Sequence, residues 1–217
     1  MTTLLLATRS ADKVREIRQI LGGAGAVVVS LDEAHVGWTS AEEKIEEFDS
    51  FLANARAKAE YFAKLTGLPI VADDSGLEVL SLGGQPGVRS KRFAPDSGRL
   101  TGKALDAANN AELQRRLFGA PTPRRRASYV CVAVLVRGAG TVPEAFTGRC
   151  WGYILEAPRG THGFGYDPLF EVIEYHRTFG ELSSLVKTCL SHRARAARQL
   201  IPQLIELVDT GQLRGEG

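Results

Sequence analysis

The chain opens on an apolar run, residues 4–7, broken at once by the polar Thr8-Arg9-Ser10. A short apolar run bounded by turn formers predicts a buried strand. Behind it, Val14, Ile17 and Leu21 recur at helical spacing while Lys13, Arg15 and Arg18 fall on other faces. That pattern predicts an amphipathic helix over residues 11–21, with Ser10 as its N-cap. Gly22-Gly23 ends the helix, and residues 27–31 read as a second strand, so the chain starts as an α/β protein. The acidic stretch 42–47 leads into an alanine-rich helix over residues 48–65, stopped by Gly67 with Pro69 just beyond. Ile70-Val71-Ala72 reads as a strand ending at Asp73-Asp74-Ser75-Gly76, and residues 77–80 as a further strand.

Further along, residues 83–92 form a glycine-rich loop and residues 104–117 a helix. Residues 129–136 and 143–153 predict two long strands of one antiparallel ribbon. A second glycine-rich loop, residues 160–167, precedes a short strand at 169–172. The last element is a helix over residues 191–208, with a kink expected at Pro202. With no internal repeat or low-complexity linker, the pattern predicts a single domain over residues 1–210 and a disordered tail at 211–217.

Composition narrows the class. Of 217 residues, 44% are hydrophobic and 24% charged, enough apolar material for a full core. The balance of 27 basic and 25 acidic residues gives no reason to expect nucleic acid or an anionic membrane as partner. The densest basic run, Arg124-Arg125-Arg126, reads as a solvated loop before a strand. Three scattered cysteines, Cys131, Cys150 and Cys189, lack metal-binding spacing and suit reduced, mostly buried thiols. No apolar stretch approaches the roughly 20 residues of a membrane span, and no signal peptide is recognisable. These features predict a cytoplasmic protein.

Four places carry candidate chemistry. The turn Thr8, Arg9, Ser10 and Lys13 joins a strand to a helix N-terminus, where free amides and the helix dipole favour a phosphate. Asp73 and Asp74 project to opposite sides if the strand continues. One of them suits Mg²⁺ coordination and proton abstraction from water, and the other support of the turn. Glu46 or Glu47 offers a further oxygen ligand, since Mg²⁺ takes one or two carboxylates plus phosphate oxygens. Phe164, Gly165, Tyr166 and Asp167 combine a close-approach glycine, a stacking face and hydrogen-bond acceptors. Lys187, His192 and Arg193 gather donors that suit keto and phosphate oxygens. Each place also has a plain structural reading: a helix cap, an Asp-Ser-Gly turn, core aromatics, or a solvated helix face.

Taken together, these pieces resemble the inosine triphosphate pyrophosphatase family from about residue 4 to residue 196. The resemblance rests on Leu5-Leu6-Ala7-Thr8 with Lys13; on Phe51, Asn54-Ala55 and Lys58-Ala59; and on Ala72 through Val79. It continues through Leu82-Gly83-Gly84, Pro86-Gly87-Val88, Asn109-Asn110, Gly163 through Pro168, and Lys187 with Ser191-His192-Arg193. It implies an elongated, two-lobed α/β fold on a long mixed sheet flanked by helices, with the nucleotide in a groove between lobes. It also implies a homodimer that uses Mg²⁺ to cleave inosine, deoxyinosine or xanthosine triphosphate to the monophosphate and pyrophosphate.

Carried over by position, Asp74 is the implied proton acceptor, and Asp74, Glu46 and Asp73 are the candidate metal ligands. Thr8, Arg9, Ser10, Lys13, Lys58 and Ser75 would hold the triphosphate. Phe164, Gly165, Tyr166, Asp167, Lys187, His192 and Arg193 would enclose and read the base. The chain departs from the family pattern at Arg9 and Ser10, where Thr-Gly-Asn is usual, and at Ala53, where a glutamate precedes Asn-Ala. It departs again at Val186 and at Ala194. Two alternatives stay open on the residues: a pyrophosphatase for another modified nucleotide, and a nucleotide-binding sensor that has lost catalysis.

Overall fold

The computed structural model describes residues 3–138 and 140–210, so the expected disorder at 211–217 lies outside the described residues. Strand β1 (Thr3–Leu6) is followed by helix α1 (Ala11–Leu21) and strand β2 (Val27–Ser30). Ser10 caps α1 as the sequence predicts, its side chain accepting from the Lys13 amide. Helix α2 (Phe51–Thr66) begins three residues later than its alanine pattern suggests, because Ser50 supplies the cap. It ends at Gly67, whose φ of 68° is the left-handed conformation that glycine adopts without a Cβ penalty.

One prediction fails in an informative way. Asp73-Asp74-Ser75-Gly76 is not a strand end or a turn. It is the middle of one continuous strand, β3 (Ile70–Val79). Helix α3 (Gly102–Arg116), strands β4 (Arg126–Val136), β5 (Glu144–Ile154), β6 (Phe170–Val172) and β7 (Arg177–Thr178), and helices α4 (Ser184–Leu190) and α5 (His192–Thr210) complete the chain. The expected final helix at 191–208 is α5, which runs on through Pro202, and the short helix α4, not anticipated, precedes it and ends at Ser191.

The strands form one mixed sheet in the order β2-β1-β3-β4-β5-β6-β7. β1 lies parallel to both β2 and β3, with Leu5 opposite Val29 and Ile70. β5, β6 and β7 are antiparallel in turn. The expected α/β class with a long mixed sheet flanked by helices is what the chain adopts.

Two compact units divide the fold. The first draws on the chain up to Asp74, on Cys131–Gly148 and on the chain from Arg193 onward. Its core joins Leu4, Leu6 and Val71 of the strands to Ile17 and Leu21 of α1 and to Leu200, Leu204 and Leu207 of α5. The spacing of the α5 residues puts them on one helical face. Burial of each such side chain contributes roughly 1.5–3 kcal/mol.

The second unit comprises Ser75–Val130 and Arg149–His192. Its core holds Leu77, Val79, Leu113, Tyr129, Phe170 and Phe179, with the Phe170 and Phe179 rings stacked 5.6 Å apart. Here too the structure corrects a prediction. Arg125, read as part of a solvated loop, is only 5% exposed. Its guanidinium donates to the carbonyls of Ala120 at 2.9 Å and Leu117 at 2.8 Å, so it closes the end of α3 rather than facing water. Cys131 and Cys150 are buried and Cys189 is exposed.

Candidate active site

The first unit gathers most of the polar residues singled out in the sequence. Asp73 and Asp74 follow one another in β3, so strand alternation sends their side chains to opposite faces. Asp73 is 1% exposed. Its Oδ2 accepts from Lys13 Nζ at 3.1 Å and from Arg193 Nε at 3.4 Å. Burial works against its charge, yet the Lys13, Arg193 and Lys58 cations outweigh burial and hold the carboxyl well below the usual carboxylate range. Arg193 also donates to Glu16 Oε2 at 2.7 Å. Glu16 of α1 and Asp73 of β3 thus share one buried guanidinium, and Arg193 serves as their charge partner.

Asp74 sits in a different environment. Its Oδ2 accepts from Asn54 Nδ2 at 2.9 Å. Asn54 also receives the Phe48 amide at 2.9 Å and donates to the Phe48 carbonyl at 3.1 Å, which fixes the orientation of its amide group. Burial pushes the Asp74 carboxyl above its ordinary value, Lys13 and Lys58 pull it back in part, and Glu46 adds to the rise. Adjacent residues of one strand are therefore driven in opposite directions. A pair of carboxyls pushed apart in this way is a signature of divided roles.

Lys58 of α2 donates to the Asp73 carbonyl at 2.6 Å and to Glu46 Oε1. Burial opposes its charge, but Glu46 and Asp73 keep the ammonium above its ordinary value. Glu46, opposed by its own burial, is in turn held below the ordinary value by Lys58. Asn54 and Lys58 were quoted from the sequence, but the part Asn54 plays was missed. The signal was present: two polar residues one helical turn apart on the face that also buries Phe51, Ala55, Ala59 and Phe62.

The Thr8 turn differs from its prediction at one residue. Thr8 Oγ1 accepts from the Ser10 amide at 3.2 Å, and Ser10 Oγ from the Lys13 amide at 3.4 Å. Arg9 instead turns to the segment at residues 32–42. It donates to Glu42 through Nε at 3.1 Å and Nη2 at 2.8 Å, and to Asp32 through Nη1 at 3.3 Å. It also donates to the Val36 carbonyl at 2.8 Å and the Gly37 carbonyl at 3.0 Å. A guanidinium has five N–H groups, and here each has a protein acceptor.

The second unit holds the other cluster. Lys187 of α4 donates to Asp167 Oδ2 at 2.6 Å, both groups being buried. The same carboxylate accepts from the Phe164 amide at 2.8 Å. The Lys187 ammonium lies 4.4 Å from the Phe164 ring centroid, within cation–π range. Gly163 is required here: with φ of 76°, a Cβ would stand 2.0 Å from Asp167 Oδ2.

Gly165 is held at both ends. Its amide donates to Asp106 Oδ2 at 2.9 Å, and its carbonyl accepts from Asn110 Nδ2 at 2.9 Å. Asp106 was not anticipated, although it and Asn110 are one helical turn apart on α3. The Tyr166 hydroxyl donates to the Ser90 carbonyl at 2.7 Å, and burial raises its pKa. His192 stacks on Tyr129 with ring centroids 4.8 Å apart. Ser75 is half-buried in β3, directly after Asp74.

A model of the Ham1 family matches residues 4–203. The chain belongs to the Ham1 family. It is 42% identical over 210 residues to the dITP/XTP pyrophosphatase of Rhodopirellula baltica, covering 97% of this chain and 96% of that protein. It is 44% identical over 207 residues to the dITP/XTP pyrophosphatase of Frankia alni, covering 94% and 98%. Among solved structures, the HAM1 protein from Coxiella burnetii aligns with a TM-score of 0.81 at 35% identity, over 95% of this chain and 100% of that one. The nucleoside-triphosphatase / dITP/XTP pyrophosphatase from Mycobacterium abscessus aligns at 0.71 with 38% identity, over 92% and 99%. The Ham1 match spans both clusters, so neither belongs to an appended segment.

Proposed function

We propose that this Ham1-family chain hydrolyses non-standard purine nucleoside triphosphates (inosine, deoxyinosine and xanthosine triphosphate) to the monophosphate and pyrophosphate. The observation that carries the reading is the split between Asp73 and Asp74. Asp74, its carboxyl raised by burial and its Oδ2 held by Asn54, is the proton acceptor for the attacking water. The water oxygen attacks the α-phosphorus as its proton passes to Asp74, the bond from that phosphorus to the α–β bridging oxygen breaks, and pyrophosphate leaves. Lys13 and Lys58 supply positive charge for the triphosphate. Thr8, Ser10 and Ser75 offer hydroxyls to it. Arg9, with its donors committed, does not take part.

The donor set also fits a hard divalent cation. Asp74 and Glu46 present carboxylate oxygens close enough for the Glu46 charge to raise Asp74. Among the described residues no group of three or more His, Cys, Asp or Glu side chains is placed to hold a metal. Mg²⁺ takes one or two carboxylates and completes its shell with water and substrate phosphates. Asp74 and Glu46 would hold it, and it would supply neutralising charge for the departing pyrophosphate. Asp73, facing Lys13 and Arg193, anchors those cations instead of binding the ion.

Phe164 offers its face to the base, and Lys187 with His192 offers donors. Inosine and xanthosine carry a 6-keto acceptor where adenosine carries a donor, and a buried mismatch of that kind discriminates by up to about 10⁴–10⁵. On this reading Lys187→Ala raises KM for inosine triphosphate, with kcat/KM falling about 10–100-fold, the worth of a hydrogen bond to a charged group. Steady-state kinetics of the variant beside the parent checks this.

The same reading makes the chain a cytoplasmic homodimer that cleanses the nucleotide pool, with neither nucleic acid nor membrane as partner. No helix among the described residues is long and apolar enough to cross a membrane. A panel of inosine, xanthosine, adenosine, guanosine and uridine triphosphates, each with Mg²⁺ and with EDTA, tests the assignment. Mg²⁺-dependent pyrophosphate release from the inosine and xanthosine substrates is expected. Tight binding of inosine triphosphate without turnover would instead favour a sensor.

A further inference from the structure

We infer that Arg9 is a positioning residue. It straps the segment at residues 32–42 to the phosphate-binding turn, and so sets the place of Glu46. The functional part of this inference rests on the reading given under Proposed function.

Arg9 stands between Thr8 and Ser10, whose hydroxyls cap their own turn. Its side chain leaves that turn and reaches across 23 to 33 residues of sequence. There it meets two carboxylates and two carbonyls, and the Glu42 contact is the two-pronged guanidinium–carboxylate geometry that lysine cannot reproduce.

The acceptors sit where a strap matters. Val36 and Gly37 carbonyls follow His35, a non-glycine residue held at a φ of 55°. That left-handed conformation costs of order 1 kcal/mol or more and persists only where surrounding contacts enforce it. Glu42 closes a capping box with Thr39 at the head of the 3-10 turn Ser40–Lys44. Two residues past that turn comes Glu46, ion-paired to Lys58. One guanidinium therefore braces the bend, the start of the 3-10 turn and, through it, the carboxylate proposed to share the metal with Asp74. Holding the segment before substrate arrives spares its ordering cost on binding.

Full-length protein carrying Arg9→Ala or Arg9→Lys tests this with two readouts. The first is the rate of tryptic cleavage after Lys44 under conditions where circular dichroism is unchanged. The second is the Mg²⁺ concentration for half-maximal pyrophosphate release. Both variants are expected to speed cleavage about tenfold or more. Both should raise the Mg²⁺ midpoint several-fold while keeping kcat at saturating Mg²⁺ within about twofold.

Unchanged cleavage and an unchanged midpoint would overturn the inference. So would a large loss of kcat with Lys44 still protected, because Arg9 would then touch the substrate itself. If Arg9→Ala does not fold, Glu42→Gln, which keeps the shape but weakens the fork, is expected to give the same changes in smaller size. Should the parent release no pyrophosphate from any substrate, the proposed function fails, while the proteolysis readout still decides the strap.

Discussion

Asp74→Asn is expected to lower kcat for inosine triphosphate by about 10²–10⁴, the usual worth of a positioned general base, while the protein stays folded. The substitution keeps size and leaves an amide oxygen for the Asn54 donor, so little of the local packing changes. Its effect on stability has the opposite sign from its effect on rate. Asp74 is buried and its carboxyl is raised from 3.8 in the fold. The folded state therefore binds that proton more tightly than the unfolded chain does. The associated stability is present at low pH and is lost as pH rises from 3.8 through the raised folded value. At neutral pH the ionised group costs stability, and the neutral asparagine removes that cost. A melting temperature at or above the parent's, measured at pH 7 with a kcat reduced by at least about a hundredfold, is the expected pair of results. A variant that turns over normally would remove Asp74 from the mechanism.

Asp73→Asn is expected to do the reverse, damaging the fold first. The carboxylate is 1% exposed and answers Lys13 and Arg193 directly, with Lys58 beside it. Removing one member of a buried charge network strands the others without compensation, typically at about 3–5 kcal/mol. Chemical denaturation at pH 7 reads this as a lower transition midpoint at unchanged slope. The pH dependence follows from the depressed carboxyl. Its contribution is in place above the unfolded value of 3.8 and disappears as pH falls through the lower folded value. The parent should thus lose stability on acidification below pH 3.8, and Asp73→Asn should show less of that loss. A denaturation midpoint within experimental error of the parent would show that Asp73 is not the anchor of this cluster.

The contrast between these neighbours also explains what could and could not be read from the chain. Helix α1, its Ser10 cap and the Gly67 stop were legible because each depends on residues within one or two turns. Asp73-Asp74-Ser75-Gly76 was misread as a turn because Asp, Ser and Gly favour turns locally. What keeps it a strand lies far off in sequence: β3 is hydrogen-bonded between β1 and β4, and its carboxylates meet Arg193, 120 residues from Asp73, and Asn54, 20 from Asp74. Long-range strand pairing overrode local propensity.

Arg9 and Arg125 were missed for related reasons. A basic residue on a turn reads as solvated or phosphate-binding until its acceptors are known, and in both cases several are backbone carbonyls, which every sequence has and none reveals. The Asp167–Lys187 pair sits between these extremes. Both residues were named from the sequence, yet their direct pairing, 20 positions apart, came only from the fold.

The most direct measurement is ³¹P NMR of inosine triphosphate incubated with the protein and Mg²⁺. Inosine monophosphate and pyrophosphate appearing in equal amounts, and neither appearing with Asp74→Asn on the same time scale, is the expected result. Inosine diphosphate with inorganic phosphate would contradict cleavage between the α- and β-phosphates, and with it the role given to Asp74.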